Sequence, residues 1–227
     1  MGTENLPERP DPWEKGQGFL WYPHAKIASQ KMVTKGKYAK GYPKGAIVHF
    51  TAGRRPGLDS MDWGREQGYA FMLIDSEGVI HQAHPLDSWG YHAGDSSWPG
   101  LVGSVSDELV GIEISAAGLC EEVTVNGVKR YKAWFHKKES EFFTEDDVRF
   151  SEGDHNIKRG WYQTYTVDQE LALIDLLVWL KENDKTGQFS YDFVLGHDEV
   201  APNRKNDPGA ALSMNMPELR ARLKAIG

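Results

Sequence analysis

The chain has 227 residues, of which 40% are hydrophobic and 26% charged. That is the balance of an ordinary globular protein, long enough to bury a sizeable core, and it excludes disorder, collagen and coiled coil as descriptions of the whole. With 33 acidic against 26 basic side chains, the formal net charge is -7, which argues against tracking a nucleic-acid backbone or adhering to anionic membranes.

Met1 to Pro10 contains no basic segment followed by an apolar run, so no secretory signal is expected and synthesis is expected to leave the protein in the cytoplasm. Residues 1–45 are rich in Pro, Gly and Lys, with aromatics at Phe19, Trp21, Tyr22, Tyr38 and Tyr42; they read as an irregular N-terminal arm packed on a core. Residues 46–227 then form the main domain.

The apolar run Ala46–Thr51, ended by Ala52-Gly53, predicts a buried strand. Tyr69–Ile74 and Val79–Ala83 predict a hairpin around the turn residues Asp75-Ser76-Glu77-Gly78. Leu109–Ser115 predicts another strand, with Val110, Ile112 and Ile114 on one face and Gly111, Glu113 and Ser115 on the other. Residues 119–162 are charged, hold scattered aromatics and lack sustained periodicity, and so read as an insertion.

Thr166-Val167-Asp168-Gln169 matches a capping box and opens the clearest helix, with an apolar stripe at Leu171, Ile174, Leu177 and Val178. Its most apolar stretch, Leu171 to Leu180, is broken by Asp175 and is far short of the roughly 20 residues that span a bilayer, so no membrane insertion is expected. Phe193-Val194-Leu195 predicts a last strand running into Gly196-His197, and Met216–Ile226 a terminal helix with Pro217 near its start. The fold class is α/β: one domain with a central mixed sheet flanked by helices.

Cys120 is the only cysteine, so no intrachain disulfide can form, which fits a reducing compartment. It has no matched partner and reads as inert. His49 ends a buried strand, where an imidazole must be hydrogen-bonded or bound to a metal. His197 follows a strand, and Lys205 and Asp207 lie two residues apart shortly after it; taken alone, that segment reads as a surface loop with a local ion pair. Two histidines and one carboxylate would make an open zinc shell with a fourth position for water. No His-Glu-x-x-His signature is present, so only tertiary folding could assemble one.

Four blocks resemble the zinc-dependent N-acetylmuramoyl-L-alanine amidases, a family that includes phage lysozyme-like amidases, muropeptide-recycling amidases and peptidoglycan recognition proteins. They are Ile47–Ala52, Gly68–Gln82 with Trp89–Gly94, Val110–Ile114, and the Thr166–Leu180 helix with the Gly196–Gly209 segment. The resemblance implies Zn2+ held by His49, His197 and Asp207. It implies Glu113 as the catalytic carboxylate, Lys205 as the catalytic lysine and Tyr69 at the position of a catalytic tyrosine in phage-type members. His92, in a Tyr-His-Ala-Gly element, is implied to contact substrate. The chain departs from the family at Phe50 and Ala70, and carries Asp207 where phage and animal members use cysteine.

The implied reaction is hydrolysis of the amide between N-acetylmuramic acid and L-alanine in peptidoglycan, by a monomer with a peptidoglycan or muropeptide substrate and no nucleic-acid partner. The arm, the insertion and Tyr69 point to a phage-type endolysin. The pairing of Asp207 with Glu113 points to a recycling amidase acting on soluble anhydromuropeptides. A non-catalytic peptidoglycan-binding protein would be expected to lack a metal ligand, and all three candidates are present. His81, His84, His136 and His155 carry no expected role.

Overall fold

The computed structural model describes residues 20–227. The part of the arm before residue 20, with Phe19 and the Met1–Pro10 stretch, lies outside the described residues. In chain order the strands are β1 (Lys26–Ile27), β2 (Gly36–Lys37), β3 (Gly45–Phe50), β4 (Met72–Ile74), β5 (Ile80–Gln82), β6 (Ser88–Trp89), β7 (Leu109–Ile114), β8 (Leu119–Val125), β9 (Val128–Lys132), β10 (Val148–Ser151), β11 (Gly160–Gln163) and β12 (Val194–Gly196). The helices are α1 (Leu58–Glu66), α2 (Val105–Glu108), α3 (Val167–Glu182), α4 (His197–Val200) and α5 (Met216–Ile226).

Six strands form the central sheet in the order β1-β5-β4-β7-β3-β12. It is mixed: β4, β7, β3 and β12 run parallel to one another, and β5 pairs antiparallel with β4. This is the single-domain α/β architecture that the sequence predicts. Alternation along the strands divides the sheet into two faces. Val48, Phe50, Val110, Ile112 and Ile114 join Leu173, Leu176, Leu177 and Leu180 of α3 and Leu219 and Leu223 of α5 in the main core. On the opposite face, Leu73 packs with Met61 of α1 and Phe71, and Ile47 and Leu109 pack with Val105 of α2.

Helix α3 starts at the predicted capping box: Thr166 Oγ1 accepts from Gln169 N–H, and Gln169 Oε1 accepts from Thr166 N–H. Its buried stripe is displaced from the predicted one. Leu173 and Leu176 are fully buried, whereas Leu171 is 49% exposed. The apolar run continues around the helix, and the packing of α5 and β4 selects the inward side. Helix α1 was not predicted: Met61 and Gly64 are its only buried residues, too few for a helical stripe.

Two segments differ from their sequence reading. The arm is not wholly irregular, because Lys26–Ile27 adds β1 to the sheet edge and Gly36–Lys37 pairs with β6. The insertion is a four-stranded antiparallel sheet ordered β10-β11-β8-β9. Its strands lack a clean alternation because β8 is exposed along most of both sides. A turn signal was nevertheless present: Asn126-Gly127, both at positive φ, closes the β8–β9 hairpin as a type I′ turn does.

Of the four histidines without an expected role, His81, His84 and His136 are buried and structural, and His155 is exposed beside Asp154. His81 Nε2 lies 2.8 Å from Asp75 Oδ2, and His136 Nδ1 accepts from Ala133 N–H. His84 is 2% exposed, and burial pushes its pKa down to about 4, with Asp87 opposing. The unfolded chain takes up this proton near pH 6.5 and the folded protein only near 4. The contribution to stability is therefore complete above about pH 6.5 and falls as the pH drops, by ~3 kcal/mol at pH 4. Denaturant midpoints at pH 7 and pH 4.5 are expected to diverge less for His84→Gln than for the wild type. An equal loss in both proteins would contradict this assignment.

Among the described residues no helix is long and apolar enough to cross a membrane.

Candidate active site

His49 sits on β3 with its side chain on the face opposite the main core. The parallel register sets Glu113 of β7 directly beside it. On the other flank, β12 pairs Gly196 with Val48, so His197, the first residue of α4, emerges next to His49. The chain then returns: Asp198 N–H donates to the Asp207 carbonyl at 2.8 Å. That bond brings Asp207 back to the start of α4. Residues 148 and 158 positions away from His49 thus reach it, because two adjacent strand ends and one tied loop converge.

The three side chains are buried, with 1% exposure for His49, 2% for His197 and 5% for Asp207. His49 Nδ1 is 2.8 Å from His197 Nδ1 and 2.9 Å from Asp207 Oδ2, and His197 Nδ1 is 2.9 Å from the same oxygen. The ring contacts assign the tautomers. Leu109 C=O, 3.0 Å from His92 Nε2, can only accept, so that nitrogen carries the proton. His92 Nδ1 is then a bare acceptor 3.1 Å from His49 Nε2, which must donate to it. His197 Nε2 likewise donates to Ala93 C=O at 2.9 Å. Both Nδ1 lone pairs therefore face a carboxylate.

Burial, with His197 next in weight, pushes the His49 pKa down to about 4, so that this ring is neutral at physiological pH. Three electron-pair donors this close are stable only around positive charge. The donor set is that of a divalent-ion shell, with one or more positions left for solvent. A tetrahedral ion with bonds of ~2.0–2.1 Å needs donors about 3.3 Å apart; a spread of a few tenths of an ångström meets that, and the residues fit the group.

Glu113 borders this cluster. Its Oε2 is enclosed and has no hydrogen-bond partner among the described residues. Burial, and then Asp207, push its carboxyl well above the usual range, while Lys205 pulls it down. Lys205 is partly buried, is close enough to act electrostatically on both His49 and Glu113, and makes no ion pair among the described residues. The Lys205–Asp207 surface pair that the bare sequence suggests therefore does not form.

His92 is joined to the cluster through His49. Tyr69 is not: no hydrogen bond or ring contact links it to the three donors among the described residues. Tyr69 instead contacts Trp63 edge-to-face at 5.7 Å and bridges to Tyr91, whose ring contacts Trp89. Trp63 and Tyr91 are 56% and 48% exposed, giving an aromatic rim next to His92.

Several supporting residues escaped the sequence reading. Tyr165 OH donates to the His49 carbonyl, and Arg204 Nη2 donates to the carbonyls of Ala93 and Asp95. The inserted sheet also supports the site. Arg149 donates to the carbonyls of Ala210 and Leu212 just beyond Asp207, and Trp134 Nε1–H donates to Ala52 C=O just beyond His49. A Cβ on Gly209 would lie 2.4 Å from the Tyr162 ring, so that loop rests directly on the insertion. Such contacts join segments remote in sequence and leave no local pattern. Cys120 is not part of the site: it is buried, and burial pushes its thiol up to about 11, which makes it unreactive.

A family model described as N-acetylmuramoyl-L-alanine amidase matches residues 39–210. Comparison with curated protein sequences gave no match. Among solved structures, the chain is similar to a selenomethionine derivative of AmpD, at 20% identity and a TM-score of 0.54, over 88% of this chain and 95% of that one. It is similar to the N-acetylmuramoyl-L-alanine amidase LysC from Clostridium intestinale URNW, at 16% identity and a TM-score of 0.50, over 89% of this chain and 99% of that one. AmpDh3 from Pseudomonas aeruginosa, in complex with anhydromuramic pentapeptide, is similar at 18% identity and a TM-score of 0.50, over 90% of this chain and 65% of that one. At these identities the likeness is one of fold.

Proposed function

Because this chain belongs to the N-acetylmuramoyl-L-alanine amidase family, an enzyme family that acts on peptidoglycan, we propose that it cleaves the muramoyl–L-alanine amide with a zinc ion held by His49, His197 and Asp207. The convergence of three electron-pair donors within 2.9 Å of one another carries the reading. Zinc bound there supplies a Lewis acid and lowers the pKa of water at its open position toward ~7.

The chain's own groups do the rest. Glu113 takes a proton from the attacking water and delivers it to the leaving amine nitrogen; its raised proton affinity suits a group that must accept and then return a proton. Lys205, with no competing ion pair, stabilises the negative charge that develops on the amide oxygen. Tyr69 belongs to the rim and contacts substrate there. All of the proposed groups come from one chain, so a monomer suffices.

For the setting, we favour a wall-degrading enzyme of the phage endolysin type. The exposed rings of Trp63 and Tyr91, with Tyr69 between them, suit stacking along an extended glycan. The alternative is a recycling amidase acting on soluble anhydromuropeptides, and the pairing of an Asp207 ligand with Glu113 favours it. Mass spectrometry of products from intact sacculi and from soluble anhydromuropeptides separates the two. Stem peptides released from sacculi are the expected result. Cleavage confined to the soluble muropeptides would overturn the endolysin reading and leave the amidase chemistry standing.

A further inference from the structure

We propose that the His92-Ala93 dipeptide is a tautomer clamp for the metal site, and that His92 is a positioning residue rather than a substrate contact. This rests on the zinc reading above. Both nitrogens of His92 are already engaged within the protein: Nδ1 accepts from His49 Nε2–H at 3.1 Å, and Nε2–H donates to Leu109 C=O at 3.0 Å. The next residue does the same for the second histidine, because Ala93 C=O accepts from His197 Nε2–H at 2.9 Å. Two consecutive residues therefore hold the protons of both imidazoles on the side away from Asp207, and both Nδ1 lone pairs point at the shared centre. Outer partners of this kind orient ligating histidines and raise their basicity.

Two further features hold the clamp in place. The backbone N–H groups of His92 and Ala93 both donate to Ser106 Oγ, at 3.2 and 3.1 Å, and Ser106 is 1% exposed. The His92 ring also lies against a strand position that has no side chain: a Cβ on Gly111 would come within 2.7 Å of His92 Cγ. Gly111 is on the same face of β7 as Glu113, so this glycine makes the space that lets the ring reach His49.

The test uses His92→Phe, which keeps a ring and removes the acceptor, and His92→Gln, whose side-chain oxygen can accept from His49 Nε2–H. Gly111→Ala retains His92 but displaces its ring. Zinc affinity is measured by competition with a chromophoric chelator, and the His49 tautomer by long-range 1H–15N NMR of metal-free protein. His92→Phe and Gly111→Ala are expected to weaken zinc binding by about 10–100-fold and to lose the preference for a protonated His49 Nε2. His92→Gln is expected to recover most of both. Wild-type zinc affinity in His92→Phe, or an unchanged His49 tautomer, would overturn the clamp. A wild-type protein that binds no zinc would overturn the metal reading instead, and the tautomer comparison alone would then decide the clamp.

Discussion

Glu113→Gln is expected to lower kcat by about two to four orders of magnitude while leaving zinc content and KM close to those of the wild type. Glutamine has nearly the shape of glutamate but can neither take a proton from water nor return one to the leaving nitrogen. The substitution sacrifices little structure, because Glu113 Oε2 has no hydrogen-bond partner to lose. Burial already disfavours the charged form, so a neutral amide at this position removes a desolvation cost and folding stability should hold. Steady-state kinetics on a soluble muropeptide, with metal analysis on the same preparation, tests this. Activity within about tenfold of the wild type would remove Glu113 from the proton-transfer role.

Asp207→Ala is expected to abolish hydrolysis by a different route, through loss of the metal. Asp207 is the one anionic donor of the three, and its Oδ2 touches both imidazoles. Its removal leaves two neutral donors and should cost more than the ~10–100-fold in affinity that an outer partner costs. Wild-type protein stripped with a chelator should lose activity and regain it on addition of zinc, whereas Asp207→Ala should stay inactive at the same zinc concentration. The two variants therefore dissociate: Glu113→Gln keeps the metal and Asp207→Ala does not. If both retained zinc at wild-type affinity, Asp207 would not be a ligand.

The central strands are legible because burial on both faces leaves continuous apolar runs such as Ala46-Ile47-Val48, and alternation in β7 sets Glu113 on the face away from Val110, Ile112 and Ile114. The helix at Thr166 was equally legible, since its capping box is local chemistry. The cluster itself was not. His49 and His197 are 148 residues apart, and only the parallel register of β3 with β12 makes them neighbours. From the residues alone, Lys205 and Asp207 read as a surface pair; the family resemblance corrected that, and the tie from Asp198 N–H to the Asp207 carbonyl explains it. The role of the insertion stayed hidden because its contacts fall on the segments just beyond His49 and Asp207, and contacts such as Trp134 with Ala52 and Arg149 with Ala210 have no sequence period. Asn126-Gly127 was the one local sign that the segment was a sheet. The sequence reading of His92 as a substrate contact followed its position near the cleft; the geometry gives both of its nitrogens to the protein.

Anomalous diffraction at the zinc edge, from crystals of the wild-type protein grown with zinc, tests the centre of this account most directly. A single strong peak within bonding distance of His49 Nδ1, His197 Nδ1 and an Asp207 carboxylate oxygen is the predicted result. No peak between these side chains, or a zinc ion bound elsewhere in fully active protein, would contradict it.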